Sequence, residues 1–313
     1  MSSTEPIFDT VRVAGIQATP VMLDAGATVE KAIGLLEKAA ADGVQLAVFP
    51  ETFISLYPTG AWAHRAARFD GFDEMWEKLW HSSVEVPGPA IDRLVDACAN
   101  LDIHCAMGIN ERELDRPGSL YNSVVLLGPS GVLWKHRKMM PTMHERLFHG
   151  FGAGDDLDVV QTPVGRVGGL ICWENRMPLA RHEIYRKGVQ VWIAPTADDS
   201  DGWIATVRHI AIESGAFVVS VPQYIPRAAI PDDFPIEVPD YEVLGRGGAA
   251  IIDPRNGEVI AGPLYDREGI VAADIDLKLG LHAKRWFDSV GHYGGPKMMS
   301  GASIPAPIPD LEE

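Results

Sequence analysis

Three residues far apart in the chain could together form a nucleophilic site, because each supplies a different part of the chemistry. Cys172 ends the run VGGLIC, Glu51 follows VQLAVFP, and Lys138 ends GVLWKHRK. A thiol is mostly protonated at neutral pH and becomes a good nucleophile only beside a base or a cation. A partly desolvated carboxylate can be that base, and an ammonium group can stabilise a developing anion. The combination predicts Cys172 as nucleophile, Glu51 as general base and Lys138 as cation.

Each of the three residues, taken alone, has a plainer explanation. A single cysteine is more often a small core residue than a nucleophile, and Cys98 and Cys105 fit that description on a helix face and in a strand. A carboxylate after a strand is commonly a surface loop residue, and Lys138 could belong to a solvated basic cluster with its neighbours. The functional interpretation therefore requires that the three lie together in the fold.

All three residues are expected at strand ends, where a rigid sheet holds a side chain at a rim open to ligands. Gly43 is expected to end the first helix, and Asn175 to cap the helix that begins at Pro178. Apolar runs predict strands over 11–17, 44–49, 103–109, 122–128, 131–138, 167–172, 189–194, 216–221 and 269–277, and apolar periodicity predicts helices over 26–42, 89–101 and 203–215. This alternation predicts an α/β protein with helix-covered sheets.

The composition is that of a globular chain with an acidic surface. The 313 residues are 46% hydrophobic, and 43 acidic against 27 basic side chains give a formal net charge of −16. Such a surface repels phosphate backbones and anionic lipid, so we expect neither nucleic acid nor a membrane as partner. No apolar run approaches the roughly 20 residues that span a bilayer, and no secretory signal is visible. Three cysteines argue against a disulfide framework and predict a reducing, cytoplasmic location.

The segments around the three residues resemble the nitrilase, or carbon–nitrogen hydrolase, superfamily. They are LAVFPETFISLYP around Glu51, HRKMMPTMHER around Lys138 and GGLICWENRMPLAR around Cys172. Order, spacing and flanks are similar to that family over residues 11–293, and the family is known for a Glu-Lys-Cys triad on these strand ends. The segments CWEN, MPLAR, APTADDSDGW, RHIAIESGAFVVSVPQ and DSVGHY are similar to the true nitrilase branch rather than to the amidase branches.

The resemblance implies an α/β fold, a four-layer αββα sandwich that pairs with a second subunit into an αββα–αββα dimer. It further implies larger homo-oligomers, such as spirals or filaments, and neither a metal nor an organic cofactor. It also implies that Glu145 is a second active-site carboxylate that orients Lys138 and the substrate; the alternative is a surface residue paired with Arg146. We expect one carbon–nitrogen hydrolase domain over 1–293 and an unpacked Gly/Pro-rich tail over 294–313.

An aromatic-rich connection over 52–88 is expected to serve function or an interface, because long connections in compact chains usually do. Four aromatic residues are predicted to bind substrate: Phe53, Tyr57, Trp62 and Trp173. With Trp203 they would form an apolar pocket that favours aryl or arylaliphatic nitriles. The alternative is that such rings belong to the core or to a subunit interface, which is at least as good an explanation for Trp76 and Trp80.

Several positions depart from the family pattern without touching the three central residues. Gly154-Asp155-Asp156 stands where the family usually has Gly-Asp-Gly, and Gly294-Gly295-Pro296 replaces Arg-Pro-Asp after GHY. Ser55 and Leu56 stand where Pro and Gly are common. These departures leave substrate choice and assembly open, because the loops and the tail contribute to both.

The activity that the resemblance implies is hydrolysis of an organic nitrile to the carboxylic acid and ammonia, through a covalent thioimidate and thioester on Cys172. An amidase or carbamoylase of the same superfamily would use the same three residues. A non-enzymatic scaffold would not need them, and a redox-sensing thiol would need a resolving cysteine beside Cys172 in the sequence. Three histidines fit no compact zinc motif and are taken as ordinary surface or loop residues; they are His136, His144 and His149.

Overall fold

The β-branched apolar runs form two separate sheets in the computed structural model, which describes residues 6, 8–59, 62–66 and 71–294. The strands in these residues are Thr10–Gln17 (β1), Leu46–Val48 (β2), His104–Arg112 (β3), Leu120–Gly128 (β4), Gly131–Arg137 (β5), Val159–Thr162 (β6), Gly165–Gly169 (β7), Val191–Thr196 (β8), Phe217–Pro222 (β9), Tyr224–Pro226 (β10), Val243–Ile252 (β11), Val259–Tyr265 (β12) and Gly269–Asp276 (β13). The first sheet has the order β13-β1-β2-β3-β4-β5. The second has the order β10-β11-β9-β8-β7-β6, with β12 paired to β11. The predicted tail over 294–313 lies, apart from Gly294, outside the described residues.

The helices begin and end where the local sequence favours it. In the described residues they are Ala25–Ala41 (α1), Ala63–Ala66 (α2), Phe72–His81 (α3), Pro89–Leu101 (α4), Pro178–Arg186 (α5), Asp201–Ser214 (α6) and Lys278–Trp286 (α7). The Asp24 side chain caps α1 by accepting a hydrogen bond from the Ala27 N–H at 2.9 Å. Gly43 follows the helix with a φ of +77°, which glycine adopts without steric cost. None of these helices is long and apolar enough to cross a membrane.

Helices cover the outer face of each sheet, so the chain forms four layers. Leu36 of α1 and Ile91 of α4 pack in one apolar cluster with the first sheet. Ile184 of α5 and Val207 of α6 pack in another with the second sheet. A third cluster lies between the sheets and takes residues from both, among them Val13, Val48, Val167 and Val191. These layers confirm the predicted αββα sandwich; the pairing of two sandwiches concerns a second chain and stays a prediction.

Two differences from the predicted elements lie around Cys172. The strand predicted over 167–172 ends at Gly169, because a 3-10 turn begins at Cys172. The prediction that Asn175 caps α5 is wrong, since Met177 occupies the cap position. Buried Asn175 instead donates its amide hydrogens to the carbonyl oxygens of Leu170 and Cys172, at 2.8 Å each. The Asn175 amide, predicted to cap α5, therefore hydrogen-bonds the backbone of the turn that precedes this helix.

Cys98 and Cys105 are packing residues, as predicted. Both are fully buried free cysteines in the cluster between the first sheet and its helices. Burial raises the pKa of Cys105 well above its ordinary value, so this thiol stays neutral. The reactivity of Cys172 can therefore be compared with that of these two buried cysteines in the same chain.

Gly108 allows the loop that carries Glu51 to pack directly on β3. A Cβ on Gly108 would lie 2.1 Å from the Pro50 carbonyl oxygen and 2.6 Å from the Thr52 nitrogen. Because these residues flank Glu51, neither atom can move away without displacing it. The Ile54 N–H also donates to the Gly108 carbonyl oxygen at 3.1 Å. The close approach that glycine permits at position 108 therefore sets the position of Glu51.

We expect Gly108→Ala to destabilise the fold by about 1–3 kcal/mol, the usual range for overpacking a dense interior. Gly118→Ala is the matched control, because a Cβ there would meet nothing within 4 Å. Thermal unfolding of both variants, followed by circular dichroism, measures the difference. Equal melting temperatures would show that the Glu51 loop does not depend on this close approach.

Candidate active site

The candidate site lies between the two sheets, where several of their strands end. Glu51 follows β2 and Lys138 follows β5 in the first sheet, whereas Cys172 follows β7 in the second. The Ala197 N–H, just after β8, donates to Glu51 Oε2 at 2.8 Å. This hydrogen bond joins the two sheets, so the site forms only when the sheets are packed together.

Lys138 places its ammonium group between two carboxylates. Nζ donates to Glu51 Oε1 at 2.7 Å and to Glu145 Oε2 at 2.6 Å, and all three side chains are fully buried. The Asn122 amide nitrogen donates to Glu51 Oε1 and to Glu145 Oε1, at 2.7 Å each. Buried charges persist only when they are paired and hydrogen-bonded, so these bonds depend on one another. Glu145 is thus a buried member of this cluster and not a surface residue paired with Arg146.

Glu145 is held in one orientation by several partners. It lies in the 3-10 turn Met143–Leu147, and its Oε2 accepts a hydrogen bond from the Thr142 N–H at 2.8 Å. The Tyr57 hydroxyl donates to the same oxygen at 3.2 Å, and His149 Nδ1 lies 3.2 Å from Oε1. A fully bonded carboxylate of this kind is rigid, so it fixes the position of the ammonium group that it pairs with.

Cys172 is buried in a strained turn beside this cluster. It is 3% exposed, and its φ of +51° is uncommon for a residue with a side chain and costs about 1–2 kcal/mol. Its Sγ lies 3.2 Å from the Thr196 hydroxyl oxygen. The Asn175 amide also donates a hydrogen bond to the Cys172 carbonyl oxygen. The conformation of the turn is therefore set by contacts that surround it.

The resting sulfur is a thiol. Burial raises the pKa of Cys172 and the Glu51 carboxylate raises it further, to about 12, although the Lys138 ammonium acts in the opposite direction. At neutral pH this sulfur becomes a nucleophile only if a base removes its proton. The charges of Glu51 and Lys138 both shift the pKa of Cys172. The three predicted residues therefore lie close together in one site.

Glu51 and Glu145 share one ammonium group but differ in basicity. Burial raises the pKa of Glu51 above its ordinary value even though Lys138 opposes it. Burial acts on Glu145 in the same direction, but the charges of Lys138 and His149 outweigh it and hold the pKa of Glu145 well below its ordinary value. The pKa values of two acids that share one cation separate in this way because each buried anion makes the other more costly to form. Glu51 is therefore the better proton acceptor.

The predicted aromatic residues differ in where they lie. Tyr57 contacts the polar cluster, with Lys138 Nζ 5.5 Å from its ring centroid. Trp173 follows Cys172 directly, is 41% exposed, and donates its indole N–H to Asp198 at 2.7 Å. These two side chains are placed where a molecule approaching Cys172 could meet them.

Phe53 and Trp62 require a correction, because both lie in apolar packing rather than beside the polar cluster. Phe53 is fully buried against Phe49, with ring centroids 5.1 Å apart, between the first sheet and its helices. Trp62 packs edge-on against Phe148 at 5.3 Å and Phe234 at 5.6 Å in a separate cluster. Large aromatic side chains serve cores and pockets alike, and the sequence does not separate the two uses.

Three further residues complete the site: Asn122, Thr196 and His149. Asn122 lies in β4 and Thr196 ends β8, and a polar residue in an otherwise apolar run is the one signal that either gives. His149, expected as an ordinary loop residue, is buried, and its Nε2 lies 2.7 Å from Asn110 Oδ1. The side-chain partners of Asn122 and Thr196 are more than 20 residues away, so no local pattern pairs them, whereas His149 also contacts Glu145 four residues before it.

A second buried ionic cluster forms around His136, which lies two residues before Lys138. Its Nδ1 is 2.7 Å from Asp156 Oδ1, and its Nε2 is 3.0 Å from Glu174 Oε2. Burial alone would lower the pKa of His136, but the two carboxylates raise it to about 9. Asp156, one of the departures from the family pattern, thus pairs with an imidazolium. In the part of the chain that the structure describes, no group of His, Cys, Asp and Glu is arranged to hold a metal ion.

Glu174 extends this cluster to the backbone on both sides of the site. Its Oε2 accepts a hydrogen bond from the Ile171 N–H at 3.0 Å, and its Oε1 accepts one from the Met139 N–H at 2.6 Å. The two residues adjoin Cys172 and Lys138 respectively. Glu174 therefore links the turn that carries Cys172 to the backbone next to Lys138.

Stability is expected to fall as pH rises through the pKa of His136. Because folding raises that pKa from 6.5 to about 9, the ion pairs stabilise the fold fully below about pH 6.5 and are lost as pH approaches and passes 9. Denaturant unfolding between about pH 6 and pH 10 measures this decline, roughly 3 kcal/mol at most, and His136→Gln is expected to flatten it. His81→Gln is the control, since His81 is an exposed histidine beside Glu77. Parallel curves for wild type and His136→Gln would contradict this assignment.

Comparison with known proteins places the chain in a family. A family model described as carbon-nitrogen hydrolase matches residues 12–284. The chain is 45% identical over 289 residues to an aliphatic nitrilase of Sinorhizobium fredii (strain HH103), covering 91% of this chain and 92% of that protein. It is 42% identical over 306 residues to nitrilase 1 of Arabidopsis thaliana, covering 93% and 86%. It is 41% identical over 305 residues to the bifunctional nitrilase/nitrile hydratase NIT4A of Lupinus angustifolius, covering 93% and 85%.

Solved structures share the fold at lower sequence identity. Nit3 of Saccharomyces cerevisiae, a member of branch 10 of the nitrilase superfamily, has a TM-score of 0.71 at 20% identity and covers 92% of this chain and 97% of its own. A carbon-nitrogen hydrolase of Helicobacter pylori G27 has a TM-score of 0.72 at 18% identity, with 96% and 99% covered. At such identities the likeness shows the fold alone, whereas the sequence matches go further. The chain belongs to the carbon–nitrogen hydrolase family, on its nitrilase branch, and is a hydrolase that acts on carbon–nitrogen bonds.

Proposed function

We propose that this hydrolase converts an organic nitrile to the carboxylic acid and ammonia, with Cys172 as nucleophile, Glu51 as general base and Lys138 as cation. The observation that carries the proposal is a buried thiol beside a carboxylate of raised pKa and an ammonium group fixed by two carboxylates. The substrate class is supported by the relatives, which are named as nitrilases at 41–45% identity.

The first step joins the Cys172 sulfur to the nitrile carbon. Glu51 accepts the thiol proton, the sulfur adds to the carbon, and the triple bond loses one of its two π bonds. Glu51 then passes that proton to the nitrogen, which gives a neutral thioimidate and leaves Glu51 as a carboxylate again. Lys138 stabilises the negative charge that develops on nitrogen, and it does so strongly because the site is buried. A nitrile is a poor electrophile, so covalent catalysis divides one difficult step into easier ones.

Two water molecules complete the reaction. Glu51 takes a proton from the first water, and the oxygen of that water adds to the thioimidate carbon. Both hydrogens of that water pass to the nitrogen by way of Glu51, the carbon–nitrogen bond breaks, ammonia leaves, and a thioester remains on Cys172. The second water breaks the carbon–sulfur bond, which releases the acid and restores the thiol. If the tetrahedral intermediate loses the sulfur instead of ammonia, the product is the amide.

Glu145 acts in this scheme as the residue that keeps Lys138 charged and in place. Its pKa is held low and it has several fixed partners, so it remains an anion while Glu51 gains and loses protons. Without it, a single carboxylate would have to serve both as the proton acceptor and as the counter-ion of Lys138. The second carboxylate separates these two tasks.

Tyr57 and Trp173 are our candidates for the residues that meet the substituent of the nitrile. Tyr57 adjoins the Lys138–Glu145 pair, and Trp173 is partly exposed next to Cys172. Phe53 and Trp62 no longer support an aryl pocket, and the relative from Sinorhizobium fredii is named an aliphatic nitrilase. The substrate panel therefore includes aliphatic, arylaliphatic and aryl nitriles.

We also propose that residues 1–293 act as one catalytic domain and that copies of it pair through their outer helices. Leu179 of α5 is 86% exposed and Ile212 of α6 is 41% exposed, which leaves apolar surface on that side. Sedimentation velocity reports the assembly, and a monomer would contradict the pairing. Filament formation and a cytoplasmic location remain predictions from the sequence.

Cys172→Ala is expected to lower ammonia release from the active nitriles by at least about 1000-fold, as removal of a nucleophile usually does. Cys98→Ala is the matched control, since Cys98 is also buried and lies in a different cluster. The assay measures ammonia, acid and amide separately. Full activity of Cys172→Ala would refute the mechanism, and turnover of the matching amides alone would make the chain an amidase.

Glu145→Gln is expected to reduce kcat by about 100-fold or more while KM changes little, because the position of Lys138 matters most in the transition state. Glu111→Gln is the control for burial, as Glu111 is a buried carboxylate paired with Lys135 and Arg137. Both variants are compared in thermal unfolding and in steady-state kinetics. A kcat loss no greater than that of Glu111→Gln would remove Glu145 from the mechanism.

A further inference from the structure

Thr196 brings a hydroxyl group to the sulfur of Cys172 from the neighbouring strand. It ends β8, which pairs in parallel with the strand that precedes Cys172, and its side chain is fully buried. Its Oγ1 lies 3.2 Å from Sγ. The same oxygen accepts a hydrogen bond from the Asp198 N–H at 2.9 Å. The hydroxyl is therefore fixed between a backbone donor and the reactive atom.

The direction of this contact depends on the protonation state of the sulfur. A hydroxyl has one hydrogen and can both donate and accept, so in the thiol state either partner can be the donor. A thiolate has no hydrogen, and only the Thr196 O–H can then donate. The Asp198 N–H uses one of the two lone pairs of Oγ1, and the hydroxyl hydrogen can point at the sulfur 3.2 Å away. Hydrogen bonds to an ion are stronger than those to a neutral group, so the contact strengthens on ionisation.

A hydrogen-bond donor at the sulfur offsets surroundings that oppose the thiolate. Glu51 opposes formation of a second anion nearby, and the Lys138 ammonium is already bonded to two carboxylates. The next residue, Ala197, donates its N–H to Glu51 Oε2 at 2.8 Å. Thr196 therefore adds a side-chain donor at the sulfur, while the Ala197 N–H donates to Glu51 and also favours the thiolate of Cys172.

We propose that Thr196 is a further catalytic residue, whose hydroxyl donates a hydrogen bond to the Cys172 sulfur as the thiolate forms. The inference rests on the proposed function for the role of Cys172 as nucleophile. No proton leaves Thr196, because the thiol proton goes to Glu51. The hydroxyl lowers the free energy of the thiolate relative to the thiol, and hence the apparent pKa of Cys172.

Thr196→Val keeps the shape of the side chain and removes the hydroxyl, whereas Thr196→Ser keeps the hydroxyl. Alkylation of Cys172 by iodoacetamide, followed across pH by mass spectrometry of its peptide, reports the thiolate directly and excludes signal from Cys98 and Cys105. For Thr196→Val we expect alkylation at least about tenfold slower at each pH at which the wild-type sulfur is mostly a thiol. Thr196→Ser should stay within about threefold of wild type.

Turnover provides the second measurement. With an active nitrile, Thr196→Val should lose about tenfold or more in kcat with little change in KM, and Thr196→Ser should restore most of it. Thermal unfolding shows whether each variant is folded, and Thr196→Ala serves as a second hydroxyl-free variant. An alkylation profile of a folded hydroxyl-free variant that matches wild type would overturn the proposal. If wild type hydrolyses no nitrile but the alkylation shift is present, the proposed substrate fails and this inference stands.

Discussion

The ammonium group of Lys138 is buried between two carboxylates, and the rest of the site depends on that arrangement. Removing three charges from water is costly unless each has partners at hydrogen-bonding distance. The partners come from both sheets and from separate segments: Glu51 after β2, Glu145 in a 3-10 turn, Asn122 in β4, and the Ala197 N–H after β8. The site is thus a product of the packed sandwich, and no single segment of the chain can form it.

Sharing one cation gives the two carboxylates different properties. Glu145 is stabilised as an anion, while Glu51 keeps a raised pKa and can accept a proton. The buried Cys172 thiol has a pKa near 12 and needs such an acceptor. At rest the site therefore holds a neutral thiol beside a base, and it need not store a thiolate in a low-dielectric interior. Thr196 and Lys138 then offer a hydrogen-bond donor and a positive charge to anions that arise during reaction.

The helix-covered sheets and the central three residues could be predicted because both leave local signals. Strand and helix periodicities mark the α/β class, and polar residues at the ends of apolar strands mark Glu51, Lys138 and Cys172. The four-layer arrangement and the active-site role of Glu145 came from the family resemblance. Asn122, Thr196 and the His136 pairing did not emerge, because their partners lie at least 20 residues away. Phe53 and Trp62 were misplaced because an aromatic side chain gives the same signal in a core and in a pocket.

The proposed mechanism requires that the substrate carbon become bonded to the Cys172 sulfur during turnover. Rapid acid quench with an active nitrile, followed by peptide mapping in a mass spectrometer, tests this most directly. We expect a substrate-derived mass on the peptide that contains Cys172, present only while nitrile is being consumed, with Cys98 and Cys105 unmodified. Sustained turnover with no such mass on Cys172, or with the mass on another residue, would contradict it.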